Sequence, residues 1–285
     1  NPFMRSSGIL LIDKPSGVSS RYVDNRFQKA FHTRHVGHLG TLVPFATGLL
    51  LVAVGSATKC LPYLQDESKT YLASLLLGNA TSTGDPEGEV IQTLPVPPTT
   101  DAKILEIFKS FLGDSFQIPP MTSAIKVKGE ALYKAARRGE EIERNPRPIH
   151  IDSLRMLVRL GRKIDFTCTV SKGTYIRVLG EDIAKKLGTV GHLTSLRRLA
   201  IGSVDLEKAI PLEEASSKDL LNPLDFLRHY PVIEVSLDQE KKIRNGVSLS
   251  LEENSPRVVF ALENEALAIY ERREDGLYHC LRGLF

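Results

Sequence analysis

Between His32 and Pro44 the chain reads HTRHVGHLGTLVP, which gathers the residues most able to do chemistry: His32, His35 and His38 at three-residue intervals, with Gly37, Gly40 and Thr41 among them. Histidines so spaced could share one helix face as metal ligands. Gly37 and Gly40 oppose a helix there, and no cysteine or carboxylate of the loop completes a tetrahedral set, so no metal is expected. The glycines do not form a phosphate loop either, because neither the Walker pattern with its lysine nor a GxGxxG opening is present. A serine hydrolase is left out too, since there is no GxSxG elbow and the serines near histidines have no evident carboxylate partner. The stretch does offer small residues that let a backbone approach a ligand closely, with imidazole and hydroxyl edges beside them. Leu49 to Val54 follows, continuously apolar, and reads as a buried strand that holds this polar loop in place.

From Gly37 to Lys59 the sequence is GHLGTLVPFATGLLLVAVGSATK. It resembles, without a gap, the central motif GHxGxLDPxATGxLxxxxGxATK of the TruB family of tRNA pseudouridine synthases. One position departs from it: Val43 stands where the family carries its catalytic aspartate. The KTY ending at Tyr71, GDPEG from Gly84, IPPMTSAIKVKGEALYKAAR from Ile118, SKGTYIR from Ser171 and LTSLRRLAI from Leu193 are similar to further family segments.

The resemblance implies base chemistry on RNA: uridine 55 of the tRNA T-arm flips into a pocket, its bond from N1 to the ribose breaks, and the uracil turns and rejoins through C5. No cofactor is implied. Carried over one at a time, Tyr71 matches the tyrosine that stacks on the flipped uracil and can serve proton transfer, and Arg177 the arginine that pairs with the catalytic aspartate. His38 matches the histidine that fills the space the base leaves, and Leu199 a pocket wall. Lys14, in IDKP, matches a basic residue that supports the loop or contacts RNA. Gly37, Gly40, Thr41, Lys172 and Tyr175 complete the substrate-binding set. Without the resemblance, Tyr71 reads as a strand aromatic and Arg177 as a surface charge.

An isopropyl group can neither attack a ribose nor take a proton, so with Val43 the chain is expected to be inactive or severely impaired. Asp13, Asp66 and Asp85 sit in segments the family fills for other reasons. Arg177, deprived of its partner, is expected to turn outward, to bind an anion or to be solvated, because breaking a buried pair costs roughly 3–5 kcal/mol. The alternative function is a tRNA T-arm binder that remodels or chaperones RNA without chemistry.

The formal net charge of +3 hides an uneven spread: Lys126 to Arg198 holds 17 Lys and Arg against 8 Asp and Glu, and the rest nets −6. Such a segment suits a polyanionic partner, with solvated helix faces as the plain alternative. No apolar run approaches the roughly 20 residues of a membrane span, and NPFMRSSG lacks the apolar core of a signal peptide, so no membrane is expected and a cytoplasmic location is. Asn1 to Phe3, ahead of Met4, are left out of the fold reading. Cys60, Cys168 and Cys280 are odd in number and without CxxC spacing, which predicts buried or partly buried thiols.

Around the loop, Gly8 to Pro15 reads as a strand, and Ser19 or Ser20 caps a helix presenting Tyr22, Val23, Phe27 and Phe31. A strand from Tyr71 to Gly78 follows, then a helix from Asp101 to Leu112 facing inward through Ile104, Phe108, Phe111 and Leu112 and closed by Gly113. A second helix, Glu130 to Arg138, stops at Gly139. Ile164, Phe166, Cys168 and Val170 alternate with polar residues in a half-buried strand that runs into SKGTYIR. A helix from Val178 to Leu187 stops at Gly188, and Asp205 to Arg228 reads as helical and acidic. After Tyr230 come β-rich runs, Val258 to Ala261, Leu267 to Tyr270 and Leu277 to Leu281, with turns at Asn245-Gly246 and Asp275-Gly276. The expected fold is α+β: a catalytic-type domain of mixed sheet flanked by helices over residues 5–229, and a small β-rich domain over 231–285 where the family carries a PUA-like RNA-binding appendage. A monomer is expected, since the family's substrate is large and wraps one subunit.

Overall fold

The computed structural model describes residues 5–65, 68–121, 126–127, 130–138, 140 and 142–285. Two compact units are present: Asn1–Val43, Leu50–Asp66 and Glu207–Phe285 form one, Pro44–Leu49 and Glu67–Leu206 the other. Asp66 and the predicted helix stop at Gly139 lie outside the described residues.

In the first unit, β1 (Gly8–Lys14) lies between β3 (Thr47–Val54), which begins in the second unit, and β14 (Ile210–Pro211), to which it runs parallel with Ile12 opposite Ile210. The ILLI and LLLVAV runs are buried throughout, as strands covered on both faces require. Helix α1 (Ser20–Ala30) starts where the sequence places it, with the Ser19 hydroxyl accepting the Tyr22 N–H. Val23 and Phe27 face inward four residues apart; Tyr22, one position off that stripe, lies exposed instead of packing. The first half of the His35 loop differs from expectation as well: Val36–Leu39 is a strand, β2, antiparallel to β3 with His38 opposite Val52. Pairing to a buried strand, a tertiary contact, overrides the weak local propensity of its glycine.

Asp205 to Arg228 is not an α-helix. It folds as 3₁₀ turns at Leu206–Lys208, Leu212–Glu214, Ser217–Asp219 and Pro223–Phe226, because Pro211 and Pro223 bring no N–H to a helical ladder. A separate sheet then forms in the order β15-β16-β17-β18 from β15 (Val232–Glu234), β16 (Arg257–Leu262), β17 (Glu265–Arg272) and β18 (Tyr278–Gly283). Helix α5 (Leu237–Arg244), opened by a Ser236–Gln239 capping box, was not expected, and the Asn245-Gly246 turn ends it. Val235, Ile243, Val258, Phe260, Leu267, Tyr270 and Tyr278 make a core of their own, in which the Tyr270 hydroxyl donates to the Val247 carbonyl. Glu263 and Asn264, both at positive φ, turn β16 into β17.

The second unit is built on β12 (Gly191–Ile201), β4 (Ser68–Leu77), β11 (Lys163–Ser171), β10 (Arg147–Leu160) and β7 (Gly113–Gln117), antiparallel neighbours in that order. Short ladders join β5 (Asn79–Thr81) to β6 (Val90–Thr93) and β8 (Lys126–Val127) to β9 (Glu130–Ala131), while β13 (Val204–Asp205) pairs β12. In β11 the predicted alternation holds: Ile164, Phe166, Cys168 and Val170 are buried and the residues between them half-buried. α2 (Asp101–Ser110) and α4 (Ile176–Lys186) lie on the sheet, with Phe108 edge-on to Phe166 at 5.8 Å. α2 ends two residues early, which leaves Leu112 exposed, and α3 (Leu132–Arg137) is shorter than predicted because Glu130 and Ala131 pair with β8. β10 was not expected, since two irregularities in its pairing spoil the period of two.

Candidate active site

The residues proposed from sequence fall in both units: Lys14, Gly37, His38, Gly40, Thr41 and Val43 in the first, Tyr71, Lys172, Tyr175, Arg177 and Leu199 in the second. In the first unit, Lys14 is fully buried and donates to the carbonyls of Pro15 at 2.8 Å and Val18 at 2.7 Å. These bonds hold the turn that follows β1. On β2 the His38 imidazole is held from both sides, with Nδ1 2.8 Å from Asp24 Oδ2 and Nε2 3.1 Å from the Thr41 hydroxyl. A carboxylate on one ring nitrogen fixes the orientation and tautomer that the other presents. Asp24 was not singled out from sequence, because its placement depends on α1 crossing β2. Gly37 lies against Leu61, which a Cβ would meet at 2.9 Å, and Gly40 adopts the left-handed conformation at φ +70 that glycine tolerates. The chain entering position 43 is then pinned: Ser20 Oγ accepts the Leu42 N–H at 2.9 Å and donates to the Leu42 carbonyl at 2.8 Å. Val43 itself is half-buried.

In the second unit, Tyr71 on β4 is buried between Cys168 of β11 and Arg198 of β12 in the ladder. Arg198 is 1 % exposed and its Nε donates to the Leu49 carbonyl at 2.8 Å. It is reached through Gly48, at φ +106, where a Cβ would lie 2.3 Å from the Arg198 carbonyl oxygen. The glycine of the ATG motif therefore lets β3 meet β12 beside Tyr71. Directly after Arg198 the register shifts, so Leu199 sits at a β-bulge, half-buried, a device that re-aims a side chain.

Arg177 does not turn outward. In the first turn of α4 it is 7 % exposed, and its guanidinium lies 3.2 Å from Asp85 Oδ2 and 3.5 Å from the Thr83 carbonyl. The desolvation argument for expulsion fails because a second carboxylate is at hand: Asp85, 1 % exposed, also accepts the Thr83 hydroxyl at 2.7 Å and the Glu87 N–H at 2.9 Å through Oδ1. A buried ion pair with its remaining lone pairs satisfied is the form that survives burial. Gly84, at φ +77, allows the close approach, since a Cβ there would meet Glu181 at 2.8 Å. Burial raises the Glu181 carboxyl pKa, with Asp182 adding to the effect and Lys185, Arg177 and Arg144 opposing it. Ahead of Arg177, Tyr175 caps α4 with its backbone held by Gln117, while Lys172 is exposed in the turn closed by Gly173. Burial pushes the Cys168 thiol, opposite Tyr71, up to about 12 and that of Cys60 up to about 11, which keeps both protonated and poor nucleophiles.

Residues 28–176 match the family described as TruB family pseudouridylate synthase, N-terminal domain. The tRNA pseudouridine synthase B of Hydrogenovibrio crunogenus is 42% identical over 254 residues, covering 88% of this chain and 84% of that protein. Its counterpart from Streptococcus thermophilus is 36% identical over 282 residues, 94% of this chain and 95% of that one. A chain in the crystal structure of a Cbf5–Nop10–Gar1 complex matches 98% of this chain and 85% of its own length with a TM-score of 0.74; at 21% identity that likeness speaks to the fold, an α+β pseudouridine synthase architecture with a further four-stranded C-terminal sheet consistent with a PUA-like domain. With a family match across more than half of its length and relatives this similar over most of both chains, the protein belongs to the TruB family of pseudouridylate synthases.

Proposed function

We propose that this chain is a tRNA pseudouridine synthase for uridine 55 of the T-arm, silenced at one position, Val43. The observation that carries the reading is that Arg177 stays buried in an ion pair with Asp85 although position 43 bears no carboxylate. The cation and its environment are assembled without the group that would do the chemistry. In the proposed reaction the uridine flips out of the arm and stacks on Tyr71, His38 takes the space it leaves, and Leu199 bounds the base. A carboxylate at position 43, which by the family resemblance would share Arg177 with Asp85 and so stay ionised, acts at the ribose as the N1–C1′ bond breaks. The uracil turns, C5 bonds to C1′, the C5 proton leaves to solvent and N1 gains one, so atoms and charge balance without a cofactor. Lys172 and Tyr175, with Gly37, Gly40 and Thr41, hold the RNA near these groups.

Residues 5–229 form the catalytic domain in this reading and 231–285 an RNA-binding appendage, in a monomer that works in the cytoplasm. No helix among the described residues is long and apolar enough to cross a membrane. A second reading, T-arm binding or folding without chemistry, is favoured by Val43 alone. Tritium release from C5-labelled uridine in a T-arm transcript separates them. The chain as it stands should release none and Val43→Asp should release it. If neither does so although both bind, the binder reading wins; if both do, another group replaces the missing carboxylate and the account of Val43 is wrong.

A further inference from the structure

The last residue of β7, Gln117, is 4 % exposed and spends its carboxamide on the backbone of one residue of another element. Its Oε1 accepts the Tyr175 N–H at 2.9 Å and its Nε2 donates to the Tyr175 carbonyl at 3.1 Å. The side chain thus meets both polar groups of Tyr175 at once, as a neighbouring strand would. Tyr175 is the N-cap residue of α4, and it caps without any side-chain hydrogen bond; its carbonyl also receives the Leu179 N–H at 3.1 Å, the bond that opens the helical ladder. Behind it the turn closes on itself, with the Thr174 N–H on the Ser171 carbonyl and the two hydroxyls 3.1 Å apart. Among the described residues, Gln117 ties this cap to the sheet edge, and Arg177 stands two residues further on.

We propose that Gln117 is a positioning residue for the isomerisation. By clamping Tyr175 it fixes the first turn of α4, and through that turn the Arg177 guanidinium. A helix passes a displacement of its first residue along its axis, so a shift of about an ångström there reaches Arg177 undiminished, enough to cost about a hundredfold in rate. The inference rests on the functional reading above, because the guanidinium matters to chemistry only if that reaction takes place.

Gln117→Met keeps the length and loses both bonds; Gln117→Glu keeps the acceptor and loses the donor. Amide exchange over residues 172–180, measured in the unreverted chain, tests the clamp itself: Gln117→Met should speed exchange at Tyr175 by about tenfold or more while lowering the thermal midpoint by only about 2–6 °C. In the Val43→Asp background the same change should lower the single-turnover rate at saturating tRNA by about thirtyfold while Kd for tRNA moves less than about threefold, and Gln117→Glu should fall between. Unchanged exchange at Tyr175, or a loss of rate matched by equal losses of tRNA affinity and stability, overturns the proposal. A Val43→Asp protein that is itself silent sinks the functional reading instead, and the positioning role in catalysis with it, while the exchange data still decide whether the clamp exists.

Discussion

Val43 follows a residue tied twice to Ser20 and is itself half-buried, so its side chain gains little from packing and its backbone is placed by other groups. Val43→Asp should therefore leave stability within about 1 kcal/mol, as urea unfolding would register. Asp85 is the opposite case. Asp85→Ala strands a buried guanidinium and should cost about 3–5 kcal/mol; Arg177→Met with Asp85→Ala should cost clearly less than the sum of the single changes, and additive losses would show that the two side chains do not interact. Position 43 stands out in the sequence because a long motif frames it. Asp85, Gln117 and Arg198 do not, because the role of each is set by a partner far away in the chain, 92 residues on for Asp85, 58 on for Gln117 and 149 back for Arg198, and Asp24 does not because His38, 14 residues on, is reached only where α1 crosses β2. In sequence Arg198 is the second of two arginines beside a leucine, the look of a surface charge.

Elements were legible where one face meets the core and illegible where pairing decides. The β11 alternation and the Ser19 cap follow from local chemistry. β2 and β10 do not, for they exist through the strands beside them, and the acidic stretch after Asp205 reads as helical by composition while its prolines break it into 3₁₀ turns. The meeting of β3 and β12 gives a sharp test. Gly48→Ala puts a methyl group 2.3 Å from a backbone oxygen in a left-handed conformation, so a loss of more than about 2 kcal/mol is expected, and Tyr71 fluorescence or near-UV dichroism should change with it. On α4 the raised pKa of Glu181 implies a pH signature. Its folded pKa lies above the unfolded one, so its protonated form favours the fold below pH 4.5 and that contribution is lost as pH rises through the folded value. Glu181→Gln should accordingly raise the thermal midpoint near neutral pH relative to the parent and bring no gain below about pH 4; equal gains at both would argue against burial as the cause.

For the whole molecule, the basic segment divides by burial. Arg177 and Arg198 are spent inside, whereas Lys134, Arg137, Arg155, Arg162, Lys163, Lys172, Lys185 and Lys186 are exposed. Affinity for tRNA should fall steeply with salt, and Lys172→Ala should reduce the slope of log K against log salt by about 0.7–0.9, the share of one phosphate contact. A slope unchanged by every such substitution would place the RNA elsewhere.

The first unit also has a history written into it. Its β1 strand pairs with β14, Ile12 with Ile210, so nearly two hundred residues must be made before that edge of β1 can close. At roughly 5–20 residues per second on a ribosome the apolar ILLI strand waits on the order of 10–40 s with that edge unpaired, while most of the second unit, Glu67–Leu206, emerges in one continuous run. During synthesis this edge is exposed to unwanted pairing, and slowing translation before residue 210 should lengthen that interval and raise the aggregated fraction of nascent chains.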